Sequence, residues 1–595
     1  MAMLMLRRSS LLRRADRVIS RSLHVDYLGH PAPRMPFKVG SSIYTGVGTV
    51  PTSLTSAHAT SASLVRRVVG AAATATIAAS ALGGAYMYYL IQSDEGFARS
   101  MYFYLNAVPA YVHYRAVQIY VEDIGKLGPD DADAWYNYLH DKYATPLYGT
   151  VLALRGFYIK LAQIASTRGD FLPKQYMDHC KTLQSDAPYE PSDVMMRIVE
   201  SSYGKSFDKI FKSINPEPLG AASIGQVHKA ELVDGTTVVV KVQFPDAEKN
   251  FRNDMKTIKR FAAVAQPAHL PFLNEVEKQF MTEFDYTMEA DNLDMVRANI
   301  EASPYAAKFI VPHAYKDLCT KEVLVMEYLK GKKLIDGIYD HFGIVAQELG
   351  LTIEQLAEKQ KLEDDERDAQ GLARRKGPAE SEMRMLQYAW RAKRAATTAY
   401  DYTLGWVLPR ASASTPVKGE LLNFPELLRL IVEVHGYEIF VNGCFNGDPH
   451  PGNILLLEDG RIGLIDYGQV KHLTKEQRKS LARLVVALAE GTEADVARSV
   501  VQDVGVKTAK MDPYVLEKMG RTMMDRDDRA ITEGMNIQLF VEYLQKRDPI
   551  TEQIDDFVMA YRVSLLLRGL SNALRYEVSH ANMWKDLAKR ALAEP

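Results

Sequence analysis

Three residues, Asp448, Asn453 and Asp466, have types and spacing that could support magnesium-assisted phosphoryl transfer. Asn453 follows Asp448 by five positions and Asp466 follows it by eighteen. Between them lie the apolar run Ile454–Leu457, the turn residues Glu458-Asp459-Gly460 and a second run at 461–465, which together signal a hairpin. A hairpin would return the chain so that two carboxylates and an amide oxygen reach one spot, and hard oxygen donors suit Mg²⁺. In such chemistry Asn453 and Asp466 hold metal bridging the phosphates, while Asp448 orients or deprotonates the attacking hydroxyl. The same stretch, CFNGDPHPGN, also reads as turn chemistry alone, with Asp, Pro and Gly fixing a loop.

These groups need positioning elements, and a second set lies upstream. In VVVKVQFP, Lys241 falls in the second of two Val-rich runs, 226–232 and 236–242, joined by Val233-Asp234-Gly235. A lysine that contacts α- and β-phosphates is placed on such a strand. Its ammonium needs a carboxylate, and Glu283 is the candidate, on a long helix expected to carry Val276, Phe280 and Phe284. Residues 322–328 predict a further strand, making this region α+β. Glu327, in VLVMEYL, lies where the backbone would contact adenine, though an ordinary buried strand reads the same. Taken singly, Lys241 or Glu283 reads as surface charge. Strand lysine, helix glutamate, Asp-x4-Asn, hairpin and Asp-Tyr-Gly, in this order, match a protein-kinase-like fold.

The chain resembles the UbiB-like atypical kinases, also called aarF-domain-containing kinases. KLAQIASTRGDFLP at 160–173 is similar to that family's KxGQ motif, and PLGAASIGQVHKA at 218–230 to its Ala-rich loop. EFDYTMEAD at 283–291 is similar to its ExD region, and FNGDPHPGN with DYG to its catalytic and metal-binding loops. The resemblance covers residues 140–335 and 420–475 and departs from the pattern at Ala162 and Gly220. Lys160 and Gln163 keep the spacing of one helical face. They either tie this helix to the lobe below or act on nucleotide phosphates, and the methyl of Ala162 would keep another backbone at a distance.

In the loop Gly220, Ala221, Ala222, Ser223, the alanines put Cβ atoms where a Gly-rich loop closes its N–H groups over phosphates. The resemblance implies that this loop contacts nucleotide and restrains protein phosphorylation, and that the KxGQ helices cover the peptide cleft. Ser223 binds a phosphate or caps a turn. Glu289 and Asp291, carried over as the ExD pair, would add metal ligands, hold Lys160 over the cleft, or form structural salt bridges. His450 makes DPHPGN look like the loop of kinases acting on choline or aminoglycosides, favouring a hydroxylated small molecule or lipid as substrate; it reads equally as a loop-packing residue.

Composition bounds the rest. The 595 residues exceed one core, and 47% apolar with 25% charged residues is globular composition. Cys180, Cys319 and Cys444 form no CxxC pair, so neither a disulfide framework nor a Cys-rich zinc site is supported. A formal net charge of −2 gives no case for nucleic acid. Residues 1–93 nevertheless hold ten Lys/Arg against Asp16 and Asp26, or +8, which leaves −10 for the remainder.

Within that basic segment Leu4, Leu11, Leu12, Ala15, Val18 and Ile19 share one helical face opposite Arg13, Arg14, Arg17 and Arg21. Such a helix suits mitochondrial import or a membrane surface. The 26 uncharged residues 68–93 are long enough for one transmembrane helix, with Tyr86, Tyr88 and Tyr89 as interfacial aromatics; a buried soluble helix is the other reading. With Arg66-Arg67 in the matrix, the soluble part would face the intermembrane space.

The expected architecture is thus α+β, a two-lobed protein-kinase-like fold with a helical N-terminal extension and one N-terminal transmembrane helix. Residues 1–23 are assigned to targeting, 24–67 to a flexible linker, 68–93 to the transmembrane helix and 96–210 to the helical extension with the KxGQ-like motif. Residues 211–335 form the N-lobe, 336–420 the hinge continuation and a charged insertion, and 421–595 a mainly helical C-lobe. The expected function is an atypical kinase or ATPase using Mg and ATP or ADP at the mitochondrial inner membrane. The resemblance links it to ubiquinone or mitochondrial lipid homeostasis. Its partner would be a membrane lipid or lipid-like small molecule, and a homodimer is admitted. The alternatives are a nucleotide-regulated lipid-binding scaffold without phosphoryl transfer and a small-molecule kinase.

Overall fold

The computed structural model describes residues 85–166, 189–221, 224–267, 270–370, 376–403, 419–535, 537–552 and 557–595, together with residues 173, 175, 176 and 179. The expected targeting segment and linker, most of the expected span (68–84), and Ala222 and Ser223 lie outside the described residues. Among the described residues no helix is long and apolar enough to cross a membrane.

The chain divides into two compact units. One takes the residues up to Glu190 together with Gly220–Gln226 and Phe244–Lys278. Its helices include Glu95–Ile119, Pro129–Leu154, Gly156–Ser166 and Ala247–Ala265. Asp94 starts the first by accepting from Phe97 N at 3.2 Å, which satisfies a donor that has no partner within the helix. Pro129 opens the second, where its missing N–H costs nothing. Inside the unit Arg99, buried, donates through Nε to Asp254 Oδ1 at 3.0 Å and through Nη2 to the Leu154 carbonyl at 2.6 Å. Three helices are therefore tied at one guanidinium, a pairing whose loss would strand a buried charge. Phe157 meets Phe251 edge-on at 5.3 Å beside it. Lys160, Ala162 and Gln163 lie on Gly156–Ser166, and Gly220–Ala221 is a two-residue extended segment of this same unit.

The other unit takes Pro191–Leu219, Val227–Gln243 and the chain from Gln279 onward. The strands that matter here are, in chain order, β1 (Phe211–Ile214), β2 (Gly225–Leu232, of which Val227–Leu232 belong to this unit), β3 (Thr237–Gln243), β4 (Phe309–Ile310), β5 (Val323–Glu327), β6 (Gly331–Lys333), β7 (Cys444–Asn446), β8 (Ile454–Leu457), β9 (Ile462–Leu464) and β10 (Val470–His472). β1, β2, β3 and β5 are neighbours in that order, and antiparallel β3–β5 pairing sets Lys241 opposite Leu324. A second sheet orders β4, β9, β8 and β6, with β9 parallel to β4 and antiparallel to β8. β10 pairs antiparallel with β7, bringing Val470 opposite Asn446.

Both hairpins signalled by the sequence form. Gly235 and Gly460 sit in their turns at φ +89° and +85°, a region open to glycine without a Cβ clash. Residues 336–420, assigned to the hinge continuation and the charged insertion, take in all but the first two residues of the helix Leu334–Glu348 and the whole of Ile353–Ala369 and Glu380–Thr403, and beyond them the unit is mainly helical. The final helix, His580–Ala593, is seated on Phe424–Tyr437 by fully buried Trp584, whose indole N–H donates to the Val432 carbonyl at 2.7 Å. Gly436 makes that approach feasible, since a Cβ there would stand 2.2 Å from Trp584 Cδ1.

Candidate active site

β3 is buried on both faces, which is why its sequence is a continuous Val run and not an alternation. Val238, Val240 and Val242 share one face, and Lys241 stands on the other between Val239 and Gln243. Lys241 Nζ donates to Glu289 Oε1 at 2.8 Å and Oε2 at 2.9 Å, with side-chain exposures of only 13% and 4%. The ammonium also stands 5.0 Å from the Tyr286 ring centroid, within range of its π-face.

The carboxylate expected on Lys241 was Glu283, and the structure corrects this to Glu289. Asp285 starts the helix Tyr286–Glu301 by accepting from Thr287 N at 3.0 Å. That helix buries Tyr286, Glu289, Ala290, Leu293, Val296 and Ile300, a stripe at helical spacing that carries Glu289 inward. Glu283 precedes the helix, in the 3₁₀ turn Thr282–Phe284, and accepts from Gln469 Nε2 at 2.5 Å. The single long helix expected through Phe284 instead ends at Met281. Of the roles open to Asp291, the structure shows a salt bridge: two positions past Glu289 it faces outward, 69% exposed, and pairs with Lys316 Nζ at 2.8 Å. Glu289 and Asp291 thus enter separate ion pairs, one buried and one exposed.

Asp466 completes the charge cluster. Burial alone would push the Lys241 ammonium down, but attraction to Asp466 and then to Glu289 outweighs it and holds the group well above its ordinary value. Burial lifts the Glu289 carboxyl to about 7 against the pull of Lys241, with the charge of Asp466 adding to the rise. One ammonium thus serves two carboxylates, Glu289 through two hydrogen bonds and Asp466 through its charge. Gly468 lies between them: the site of a Cβ there is 3.4 Å from Asp466 Oδ1 and 3.5 Å from Glu289 Oε2.

Backbone and amide bonds fix the surrounding loops. Gly468 N donates to Asp466 Oδ1 at 3.1 Å, and Asn292 Nδ2 holds the Tyr467 carbonyl at 3.2 Å. Asn446 bridges the loops of Asp448 and Asp466, donating to the Asp466 carbonyl at 2.7 Å while its Oδ1 accepts from Asp448 N at 2.8 Å. Ile465 N donates to the Asn453 carbonyl at 3.1 Å, so Asn453 lies beside the residue preceding Asp466. Within the turn, Asn453 N donates to the His450 carbonyl at 2.8 Å and His450 Nδ1 accepts from Gly452 N at 3.1 Å. Lys241, Glu289, Asp448, Asn453 and Asp466 all belong to the same unit, whereas Lys160, Gln163, Gly220 and Ala221 belong to the other. Glu327, at the end of β5, accepts from His313 N at 3.2 Å.

Asn446, Asn292 and Gln469 were not singled out from the sequence. The Asn446–Asp448 spacing of two is a legible turn signal, whereas Asn292 and Tyr467 are 175 positions apart. Among the described residues no group of three or more His, Cys, Asp or Glu side chains could hold a metal ion by itself. Asn453 and Asp466 nevertheless offer an amide and a carboxylate oxygen of the hard type that magnesium prefers.

Tyr467 is fully buried and donates to Glu438 Oε1 at 3.2 Å; among the described residues no hydrogen-bond partner reaches the buried Glu438 Oε2. Burial pushes the Glu438 carboxyl up to about 8 from an ordinary 4.5. A carboxyl whose folded value lies above its unfolded one contributes stability below the unfolded value and loses it as pH rises through the folded one. Glu438→Gln should therefore gain on the wild type by about 3 kcal/mol between pH 6 and pH 9. Urea denaturation at both pH values measures this, and a difference independent of pH would mean that Glu438 does not titrate there.

A family model described as the ABC1 atypical kinase-like domain matches residues 182–365 and 415–500. The interruption falls on the charged insertion. AarF domain-containing kinase 1 of Drosophila melanogaster is 28% identical over 467 residues, 75% of this chain and 74% of that protein. AarF domain-containing protein kinase 1 of Gallus gallus is 24% identical over 476 residues, covering 76% and 75% respectively. Protein ACTIVITY OF BC1 COMPLEX KINASE 1, chloroplastic, of Arabidopsis thaliana is 25% identical over 456 residues, 74% of this chain. The chain spans about half the length of that protein (54%) and of an uncharacterized Synechocystis relative (48%).

Proposed function

Because the chain belongs to the UbiB-like family, with its ABC1 (AarF) atypical kinase-like domain, we propose that it is a magnesium-dependent kinase or ATPase. The observation that carries this reading is the buried Lys241–Glu289 pair beside Asp466, with Asn453 and Asp448 tied to the Asp466 loop through hydrogen bonds. Lys241 would draw the α- and β-phosphates of ATP or ADP, and Asn453 and Asp466 would hold Mg²⁺. When bound, the metal supplies neutralisation of phosphate charge. Asp448 would orient an attacking hydroxyl and accept its proton.

The acceptor in this reading is water or a hydroxylated lipid-like molecule at the mitochondrial inner membrane, with a role in ubiquinone or lipid homeostasis. The His450 turn supports a small-molecule acceptor over a protein, and residues 1–93 support the location by their charge and apolar run. Full-length chain with lipid vesicles, ATP and Mg²⁺ should release phosphate, and Asp448→Asn should lower the rate about 10²–10⁴-fold, the usual contribution of a positioned general base, with nucleotide affinity retained. Nucleotide binding without turnover in either protein would favour the lipid-binding scaffold.

A further inference from the structure

The match to the ABC1 domain ends at residue 500, yet the ion-pair partner of Asp448 comes from beyond it. Arg562, on the helix Val558–Ala573, brings Nη2 to 3.4 Å from Asp448 Oδ2 and donates through Nη1 to Gln469 Oε1 at 2.8 Å. Gln469 directly follows Asp466-Tyr467-Gly468 and in turn donates to Glu283. A carboxylate only accepts and a guanidinium only donates, so Gln469 between them has one permitted amide orientation. The result is a directed relay, Arg562 to Gln469 to Glu283, with a fixed cation at the Asp448 end.

A second contact seats the same helix. Met559, one turn before Arg562, fills the space in front of Gly447, where an added Cβ would stand 2.0 Å from Met559 Cε. The helix therefore meets two consecutive residues of the loop, Gly447 and Asp448. At 31% and 25% side-chain exposure the Arg562–Asp448 pair is partly solvated, and such pairs contribute little to stability. What a tethered guanidinium can do is restrict the rotation of the Asp448 carboxylate.

We propose that Arg562 is a positioning residue, aligning Asp448 with the attacking hydroxyl from the C-terminal helix, so that turnover depends on a segment outside the matched domain. This rests on the reading of Asp448 given above. Displacement of a reacting group by about 1 Å can cost 10²-fold in rate, so Arg562→Gln is expected to lower kcat about 10–100-fold with the KM for ATP unchanged. Arg562→Lys should restore part of the rate. Gln469→Met, which removes the tether without touching Asp448, should lose kcat similarly. The double variant should lose no more than the worse single one, as residues acting as a unit do.

The full-length chain is assayed for phosphate release beside wild type and Asp448→Asn, with melting temperatures measured throughout. Wild type active, Asp448→Asn impaired and Arg562→Gln normal in kcat would overturn the positioning role alone. A loss confined to KM, or single-variant losses that multiply in the double, would overturn it equally. Wild type and Asp448→Asn turning over alike would remove the reading of Asp448 and this inference with it. Should Arg562→Gln fail to fold, a normal kcat in Gln469→Met overturns the relay.

Discussion

Asp466→Asn is expected to lower magnesium-dependent turnover about 10²–10³-fold, the scale seen when one preorganised electrostatic group is removed from an active site, while leaving the fold intact. The substitution is nearly isosteric, and an amide oxygen can still accept from Gly468 N, which now bonds Asp466 Oδ1 at 3.1 Å. Lys241 retains both bonds to Glu289. What disappears is a charge: the metal would meet two neutral amide oxygens in place of one amide and one carboxylate, so magnesium affinity should fall along with rate. The same change lowers the Glu289 carboxyl, because the Asp466 charge is one of the causes that lift it. Phosphate release titrated with Mg²⁺ at saturating ATP measures the effect. Unchanged rate at every magnesium concentration would show that Asp466 does not handle the metal.

Lys241→Met should have the largest effect on stability, about 3–5 kcal/mol, because it leaves the buried Glu289 without its counter-charge while the charge of Asp466 still acts on it. Its pH dependence has a definite sign. Glu289 already stands at about 7 in the presence of the ammonium that lowers it, so removing Lys241 raises it further. Its folded value then exceeds its unfolded value of about 4.5 by more than in the wild type. The associated stability is present below the unfolded value and lost as pH rises through the folded one, so the variant loses more at pH 8 than at pH 6. Glu289→Gln should cost less, since the ammonium keeps Asp466 as a partner, and Glu289→Gln added to Lys241→Met should recover part of the loss. Urea denaturation at the two pH values separates these cases; an equal cost for both single variants at both values would contradict the shared-ammonium arrangement.

Much of the site was legible in the chain alone because its parts are local. Gly235 and Gly460 mark tight turns between short apolar runs, and turn chemistry acts over a few residues, so both hairpins follow from neighbouring side chains. The position of Lys241 on a buried strand follows from its flanking valines in the same way. The choice between Glu283 and Glu289 was also written in the sequence, in the 286-289-290-293-296-300 stripe, but it is read only once Asp285 is recognised as the start of a new helix.

Long-range pairing is different in kind. A side chain that bonds a partner 93 or 175 positions away, as Arg562 does with Gln469 and Asn292 with Tyr467, leaves no periodicity in its own neighbourhood. Local composition and spacing set the order of the candidate site residues, the strands that carry them and the uneven charge between the basic first 93 residues and the remainder. Which carboxylate neutralises Lys241 and which arginine reaches Asp448 became readable in the packed chain alone. Those choices depend on where separate helices come to rest in three dimensions, and that is fixed by burial of whole faces and not by the identity of adjacent residues.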